Sequence, residues 1–258
     1  MQKQAYRGHC RCAEPAAVGI AFFYYSNYNL QMNTLSQKIY IVVPAYNEAS
    51  VISDVIKEIQ AAGYRNIIVV DDGSGDNTYE KISRNDGVIP LKHFLNRGKG
   101  AAAKTGIEAA KMLGADVVIT IDADGQHNPN DIEKMLEMIR QEYDVVLGSR
   151  LKNPAGMPKY KILHNHIGNL CVWALYGLWV TDSQSGFRAY SQKAISAIET
   201  KTDRYEYDSE VIREIYRNNL KFIEIPIEVR YTDYSMSKVH KMNLKNGLKT
   251  LIKMMISA

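Results

Sequence analysis

The sequence has few cysteines, no long apolar run and little net charge, and each shortage excludes a class of protein. Its three cysteines, Cys10, Cys12 and Cys171, form no disulfide framework, and no second Cys/His pair completes a zinc site with the first two. This usage indicates a reducing compartment. No run reaches the roughly 18 to 20 apolar residues that cross a bilayer. Because a formal charge of +4 is small, we expect no nucleic-acid partner.

The chain length of 258 residues suits one large α/β domain or two small ones. We expect residues 1–36 to form a poorly structured N-terminal extension, because they are mostly polar around a short apolar stretch at Ala16–Tyr25. One alternative is a secretion signal, but no convincing small-residue cleavage site follows that stretch. Another is an upstream extension of a natural start at Met32, which lies just before the first predicted strand. Residues 37–235 are expected to form the main domain, and residues 236–258 a basic amphipathic segment.

From Ile39 onward, short apolar runs alternate with segments of helical periodicity. This alternation predicts an α/β fold, a mostly parallel sheet with helices on both faces. The predicted strands are Ile39–Val43, Ile67–Val70, Val88–Leu91, Val117–Ile121 and Val145–Leu147.

The pattern changes after Arg150. We predict a helix at Tyr160–Val180, a polar loop at Thr181–Ser191, a helix at Ser209–Arg217 and a strand at Phe222–Val229.

Polar clusters follow three of the predicted strands, at Pro44–Glu48, Asp71–Asp76 and Asp122–His127. In parallel sheets, ligands bind beyond the carboxyl ends of the strands, so these clusters are expected to meet at one edge. Asp122 and Asp124 lie one residue apart at a strand end and can bind one hard cation together with substrate phosphates. Taken alone, such a triplet is often only a solvated turn.

These segments together resemble a family 2 glycosyltransferase with the GT-A, Rossmann-like fold. The resemblance runs from about Ile39 to Lys238, and residues 37–235 would be the GT-A domain. Within the family, the chain is most similar to dolichyl-phosphate mannose synthase and related polyprenyl-phosphate sugar transferases, because of its Ser-Gly-Phe-Arg element and late Ser-Lys. The matching segments are VVPAYNE at 42–48, VDDGSGDNT at 70–78, NRGKGAA at 96–102, DADGQH at 122–127, GSR at 148–150, DSQSGFRAY at 182–190 and MSK at 236–238.

The resemblance implies a role for each of several site residues. The donor nucleotide would be bound by Pro44, Tyr46, Glu48, Asp72, Lys99 and Asp122. A Mg²⁺ or Mn²⁺ ion would be held by Asp122, Asp124 and Gln126. The acceptor phosphate would be bound by Arg150, Ser185, Arg188 and Arg230, and the catalytic residues would be Asp124, Arg188 and Lys238.

General chemistry agrees with parts of this assignment. Gly98-Lys99-Gly100 opens a predicted helix, and both a helix N-terminus and a lysine favour anions. Arginine grips phosphate with two donors, although any one of these arginines taken alone is more often a surface ion pair.

The resemblance further implies an inverting transfer from a nucleoside-diphosphate sugar to a dolichyl or polyprenyl phosphate. We favour a UDP-sugar slightly over GDP-mannose. A lipid phosphate is already ionised at neutral pH and needs no strong general base, whereas an alcohol or saccharide acceptor, the alternative, needs one. The acidic candidates for that base are Asp208 and Glu210, and we favour a structural or acceptor-side role for Glu210.

A lipid acceptor requires contact with a membrane. We expect the segment from Asn243 onward to lie on the cytoplasmic face of a membrane as a peripheral helix, with apolar side chains on one side and lysines towards the other. A helix packed on the domain, or the start of a span, is the alternative. The uncharged stretch Ile167–Val180, with Trp173, Tyr176 and Trp179, is a second candidate for a lipid-facing helix, or else a core helix.

Other classes fit the sequence less well. A sugar-1-phosphate nucleotidyltransferase would have a Gly-rich segment with Arg after the first strand, where Pro44–Glu48 stands. A nicotinamide-binding protein would have G-x-G-x-x-G there, which is absent. A non-catalytic, membrane-associated module that binds nucleotide sugars stays open, although the intact Asp122, Asp124 and Gln126 argue against it.

Overall fold

The computed structural model describes residues 37–204, residues 206–231 and residue 234. The predicted N-terminal extension, the basic segment 236–258 and Lys238 lie outside these residues, so the expectations about them stay predictions. Among the described residues, no helix is long and apolar enough to cross a membrane.

The core of the described chain is a mixed but mostly parallel sheet, as the sequence predicts. Its strands lie in the order β3-β2-β1-β4-β6-β5-β7, and β6 alone runs antiparallel to its neighbours β4 and β5. The strands are β1 Ile39–Ala45, β2 Ile67–Asp71, β3 Val88–Lys92, β4 Val117–Thr120, β5 Val145–Ser149, β6 Arg188–Ser191 and β7 Phe222–Pro226.

Helices cover both faces of this sheet. They are α1 Ile52–Ala61, α2 Thr78–Ser83, α3 Lys99–Met112, α4 Asp131–Arg140, α5 Lys159–Tyr176, α6 Gln192–Ala197 and α7 Glu206–Arg217.

Alternation along the strands divides the apolar side chains between two cores. In β1, Ile41 and Val43 belong to the core that includes residues of α1 and α4, whereas Val42 belongs to the core on the α3 side. Helix α3 lies so close to β1 that a side chain at Gly106 would collide with Val42. Burial of each such Ile or Val side chain stabilises the fold by about 1.5 to 3 kcal/mol.

The predicted strands and helices are present, with ends that shift by a few residues, but one part of the sheet was missed. The segment Thr181–Ser191, predicted to be a polar loop, ends in strand β6, and the short helix α6 follows it at once. A four-residue strand with the sequence Arg-Ala-Tyr-Ser has no apolar periodicity to detect. The strand predicted at Phe222–Val229 ends earlier, at Pro226.

Candidate active site

The three polar loops meet at one edge of the sheet because β2, β1 and β4 are neighbours and parallel. The first two loops are bonded to each other: the Asn47 N–H donates to Ser74 Oγ at 2.9 Å, and the Gly75 N–H donates to Asn47 Oδ1 at 2.9 Å. The Glu48 N–H donates to Thr78 Oγ1 at 2.8 Å, which ties the first loop to the start of α2. Backbone N–H groups of each loop thus hold the other loop in place.

The antiparallel direction of β6 adds a fourth segment to this edge. Its first residue, Arg188, pairs with Thr120 at the end of β4 and with Leu147 of β5. The Thr120 hydroxyl donates to the Gly186 carbonyl at 2.7 Å. The loop before β6 therefore lies beside the end of β4.

Asp122 lies at the centre of this edge and is held by two basic side chains. Lys99 Nζ lies 2.8 Å from its Oδ1, and His127 Nε2 lies 3.3 Å from its Oδ2. Any side chain at Gly186 would collide with both Asp122 and Lys99, so glycine allows this close packing. Burial alone would raise the pKa of Asp122, but the neighbouring Lys99 and then His127 hold it well below its usual range.

Lys99 also faces a second carboxylate. Asp208, in the first turn of α7, places Oδ2 at 3.4 Å from Lys99 Nζ, and its Oδ1 lies 3.5 Å from Arg188 Nη2. Burial lowers the pKa of Lys99, but Asp122 and then Asp208 outweigh it and raise that pKa above its ordinary value. The ammonium is therefore firmly charged between two carboxylates.

The donor set suits a hard divalent cation that is shared with a diphosphate. Among the described residues, no group of three His, Cys, Asp or Glu side chains is arranged to hold a metal by itself. Asp122 and Asp124 supply carboxylate oxygens and Gln126 an amide oxygen, and Mg²⁺ is usually bound by one or two carboxylates plus substrate phosphates. Asp124 Oδ1 accepts the Gln126 N–H at 3.0 Å, which fixes this turn.

The predicted base-binding residues lie around the ends of β1 and β2. Tyr46 is 46% exposed, whereas Glu48 is buried and accepts a hydrogen bond from the Tyr234 hydroxyl at 2.8 Å. Pro44 lies within β1. Their roles towards a nucleotide stay predictions.

Asp72 is buried and bonded to the protein itself. Its carboxylate lies 2.7 Å from His93 Nδ1 and accepts the backbone N–H groups of Arg97 at 3.1 Å and Gly98 at 2.7 Å. Asp72 therefore fixes the loop that leads into Lys99 and α3. Asp71 instead accepts the backbone N–H and hydroxyl of Ser74.

The predicted acceptor-side arginines are all engaged with protein groups. Arg150 forms a two-pronged pair with Asp182, with Nε–Oδ2 at 2.7 Å and Nη2–Oδ1 at 2.8 Å. Arg230, at the rim, pairs with Glu58 at 2.8 Å, and its N–H donates to the Gln126 carbonyl at 2.8 Å.

Arg188 lies beneath the site and is 1% exposed. Its guanidinium donates to the carbonyl oxygens of Ser185 at 2.8 Å, Ser183 at 2.8 Å and Asp208 at 3.0 Å. This placement argues against direct contact of Arg188 with an acceptor phosphate and favours a supporting role. Ser185 is buried too, and its Oγ accepts the Phe187 N–H at 3.4 Å.

Sequence reasoning assigned no role to His93, His127 or Asp182. His93 bridges Asp72 to Thr105, with Nε2 at 2.9 Å from Thr105 Oγ1. His127 contacts Asp122, and its place within the matching segment 122–127 was the available signal. Asp182 opens the matching segment 182–190 in the same way, whereas nothing in the sequence indicated His93.

Comparison with known proteins confirms the family resemblance. The family model described as glycosyl transferase family 2 matches residues 40–199. An uncharacterized protein of Methanocaldococcus jannaschii is 43% identical over 235 residues, which cover 88% of this chain and 96% of that protein. The UDP-N-acetylglucosamine–dolichyl-phosphate N-acetylglucosaminyltransferase of Methanococcus voltae is 39% identical over 240 residues, which cover 84% of this chain and 95% of that protein.

Solved structures show the same fold. Glucosyl-3-phosphoglycerate synthase from Mycobacterium tuberculosis, in complex with Mn²⁺, UDP and phosphoglyceric acid, matches with a TM-score of 0.64. The match covers 86% of this chain and 79% of that one at 18% sequence identity, so it shows the fold alone. With the GT-A sheet and the family match over residues 40–199, the chain belongs to glycosyl transferase family 2.

Proposed function

We propose that this chain transfers a sugar, with inversion, from a nucleoside-diphosphate sugar to a dolichyl or polyprenyl phosphate. A UDP-sugar is slightly favoured over GDP-mannose, in keeping with the name of the Methanococcus voltae relative. The observation that carries the proposal is the cluster at the end of β4, where Asp122 is surrounded by Lys99 and His127 at a ligand-binding edge of the sheet.

A divalent cation completes the donor side of the proposal. Asp122 and Asp124, with Gln126, would hold Mg²⁺ or Mn²⁺. When bound, this ion would neutralise the charge that develops on the leaving diphosphate. The structural neighbour glucosyl-3-phosphoglycerate synthase has been solved with Mn²⁺ and UDP and with Mg²⁺ and UDP, which supports this choice of ion.

The chain's own residues around that diphosphate have distinct tasks. Lys99, in the first turn of α3, is close enough to Asp122 to contact an anion bound there. Asp72 holds the Arg97–Gly98 backbone and so fixes the position from which Lys99 extends.

The acceptor is proposed to be a phosphate because the two candidate general bases are both engaged. Asp208 lies between Lys99 and Arg188, with its oxygens 3.4 Å and 3.5 Å from their nitrogens, so both oxygens already face cations of the protein. Glu210 accepts the Thr202 hydroxyl at 2.6 Å and pairs with Arg213 at 2.7 Å. An acceptor phosphate needs no base, and Arg150 would take part in binding it.

The exposed surface of α5 supports contact with a membrane. Large apolar side chains recur along this helix at positions of one face and are about half or more exposed: Tyr160, Leu163, Ile167, Leu170 and Trp173. Trp179, just beyond the helix, is 52% exposed and contacts Trp173. Tryptophan and tyrosine favour membrane interfaces. We propose that the chain is peripheral on the cytoplasmic face and presents this surface to the lipid.

The helix that carries this surface also reaches the site. Lys161, in its first turn, is close enough to Arg150 and Asp124 for their charges to shift its pKa; burial lowers that pKa first, Arg150 lowers it further, and Asp124 opposes both. A lipid phosphate whose tail lies along α5 would thus enter beside these residues.

The test is a donor screen with Mn²⁺ and a short polyprenyl phosphate, with lipid-linked sugar as the product. We expect one of UDP-glucose, UDP-N-acetylglucosamine or GDP-mannose to give product, with inverted anomeric configuration by NMR. The Asp124→Ala variant is the control for metal-supported transfer. A wild-type chain that binds these donors but transfers to no lipid phosphate would contradict the proposal and favour a binding module.

A further inference from the structure

Asp208 is a buried carboxylate that contacts two cationic side chains at the site. It is 6% exposed and lies in the first turn of α7. Its two oxygens face Lys99 at 3.4 Å and Arg188 at 3.5 Å, and its backbone carbonyl accepts from Arg188. A carboxylate placed in this way between two cations holds both cationic groups in position.

Lys99 has two carboxylates within reach and is nearer to one of them. Its Nζ lies 2.8 Å from Asp122 and 3.4 Å from Asp208. It therefore occupies an oxygen of Asp122 that a divalent cation would need. A divalent cation at Asp122 and the ammonium of Lys99 compete for the same negative charge, since like charges close together repel.

The backbone from which Lys99 extends is fixed relative to Asp208. The Ala101 N–H donates to the Asp203 carbonyl at 2.9 Å, and a side chain at Gly100 would collide with Tyr207. The starts of α3 and α7 are thus in direct contact. With the backbone held in this way, a change of partner by Lys99 would involve its side chain, and Gly186 lies close beside its Nζ.

We propose that Asp208 is a positioning residue that accepts Lys99 when a divalent cation takes Asp122. The inference rests on the proposed metal-dependent function and deepens it. The Lys99 side chain is 26% exposed, and a partly buried ammonium that lost Asp122 without another partner would oppose the cation, because an unpaired charge shielded from water is costly. Asp208 removes that cost, since it is the carboxylate already beside the ammonium. The residue acts through Lys99 and contacts neither metal nor sugar.

The test measures Mn²⁺ binding, from the EPR signal of free Mn²⁺, to the purified full chain with and without UDP. In the Asp208→Asn variant we expect Mn²⁺ affinity to fall about tenfold, within the usual range of coupling between sites. Asp208→Glu keeps the charge and should recover most of it. Because the assay uses neither sugar nor lipid, its outcome is independent of whether transfer to a lipid phosphate is found.

The matched control is Asp203→Asn. Asp203 lies just before α7, and its carbonyl accepts the Ala101 N–H of α3. Its carboxylate pairs with Lys104 at 2.6 Å and with Arg97 at 3.2 Å, but it does not pair with Lys99. Asp203→Asn removes one negative charge from the same region but leaves the partners of Lys99 in place. Because it changes only the long-range electrostatic field at the cation site, Mn²⁺ affinity should stay within about twofold of wild type.

A second set of variants, made in the Lys99→Met protein, distinguishes positioning of Lys99 from a general electrostatic effect of the Asp208 charge on Mn²⁺ affinity. In Lys99→Met, the competing ammonium is absent, so adding Asp208→Asn should then cost little Mn²⁺ affinity. Thermal unfolding of each variant verifies that it is folded. The proposal is overturned if Asp208→Asn binds Mn²⁺ like wild type, or if it weakens binding equally with and without Lys99.

Discussion

The donor side and the acceptor side of this site are built in different ways. On the donor side, acidic side chains accept backbone N–H groups of neighbouring loops, as Asp72 does from Arg97 and Gly98. On the acceptor side, each predicted cation is matched by a carboxylate, as Arg150 is by Asp182. The donor loops are therefore preformed, whereas the acceptor side is a set of charge pairs that a phosphate would have to join.

The largest effect on activity is expected from substitution of a residue that would bind the metal. Asp124→Ala should lower the transfer rate by about a hundredfold or more, because the diphosphate loses part of the metal's binding site. Steady-state kinetics with Mn²⁺ checks this, and Asp54→Ala, an exposed carboxylate of α1, is the control. Full activity of Asp124→Ala in EDTA would show that metal binding is not the function of this turn.

On the acceptor side, the largest loss of stability is expected on substitution of Arg188. Arg188 reaches the Ser185 carbonyl through Nε and the Ser183 and Asp208 carbonyls through Nη2, and the single nitrogen of a lysine cannot occupy both positions, so Arg188→Lys should lower the free energy of unfolding by about 3 kcal/mol. Urea denaturation measures this. An unchanged stability with a raised KM for the lipid phosphate alone would instead restore direct contact between Arg188 and the acceptor.

Two ion pairs of the acceptor side differ in burial and should differ in energy. Asp182→Ala leaves Arg150 without its partner and should cost about 2 to 3 kcal/mol of unfolding free energy. Glu58→Ala removes the partner of Arg230 in a pair whose side chains are 44% and 46% exposed, and should cost under about 1 kcal/mol. Equal losses in urea denaturation would remove the distinction between the two pairs.

The smallest effect concerns pH. Burial raises the pKa of Glu210, but hydrogen bonds from Thr202 and then Lys201, with the charge of Arg213, outweigh it and lower that pKa below its ordinary value. Its contribution to stability is therefore present above the unfolded pKa of about 4.3 and is lost as pH falls through the folded value. Glu210→Gln should make the unfolding free energy less dependent on pH between about 5 and 3. An unchanged slope would mean that other carboxylates dominate it.

The sequence predicted the donor side better than the acceptor side, for a physical reason. The loops after β1, β2 and β4 follow continuous apolar strands, and parallel strands bring their carboxyl ends together. The position of Arg188 depends instead on β6, whose antiparallel direction is set by pairing with distant strands. Its burial could not be predicted from local pattern.

Charge pairing was the other part that the sequence did not supply. The assignment of Lys99 to the nucleotide stays a prediction, and its pairing with Asp122 and Asp208 in the structure was not anticipated. Such pairs join elements far apart in sequence, so periodicity and spacing contain no signal for them. The same holds for His93, which links the end of β3 to α3 through Asp72 and Thr105.

The central claim is that the acceptor is a lipid phosphate, and one comparison tests it most directly. With the best donor and Mn²⁺, transfer to a short polyprenyl phosphate is measured beside transfer to the matching polyprenol, which has the same chain but no phosphate. Because Asp208 and Glu210, the two acidic candidates for a general base, are both engaged with cations of the protein, we predict product with the phosphate and at most about a hundredth as much with the alcohol. Equal transfer to both, or transfer to the alcohol alone, would contradict the account.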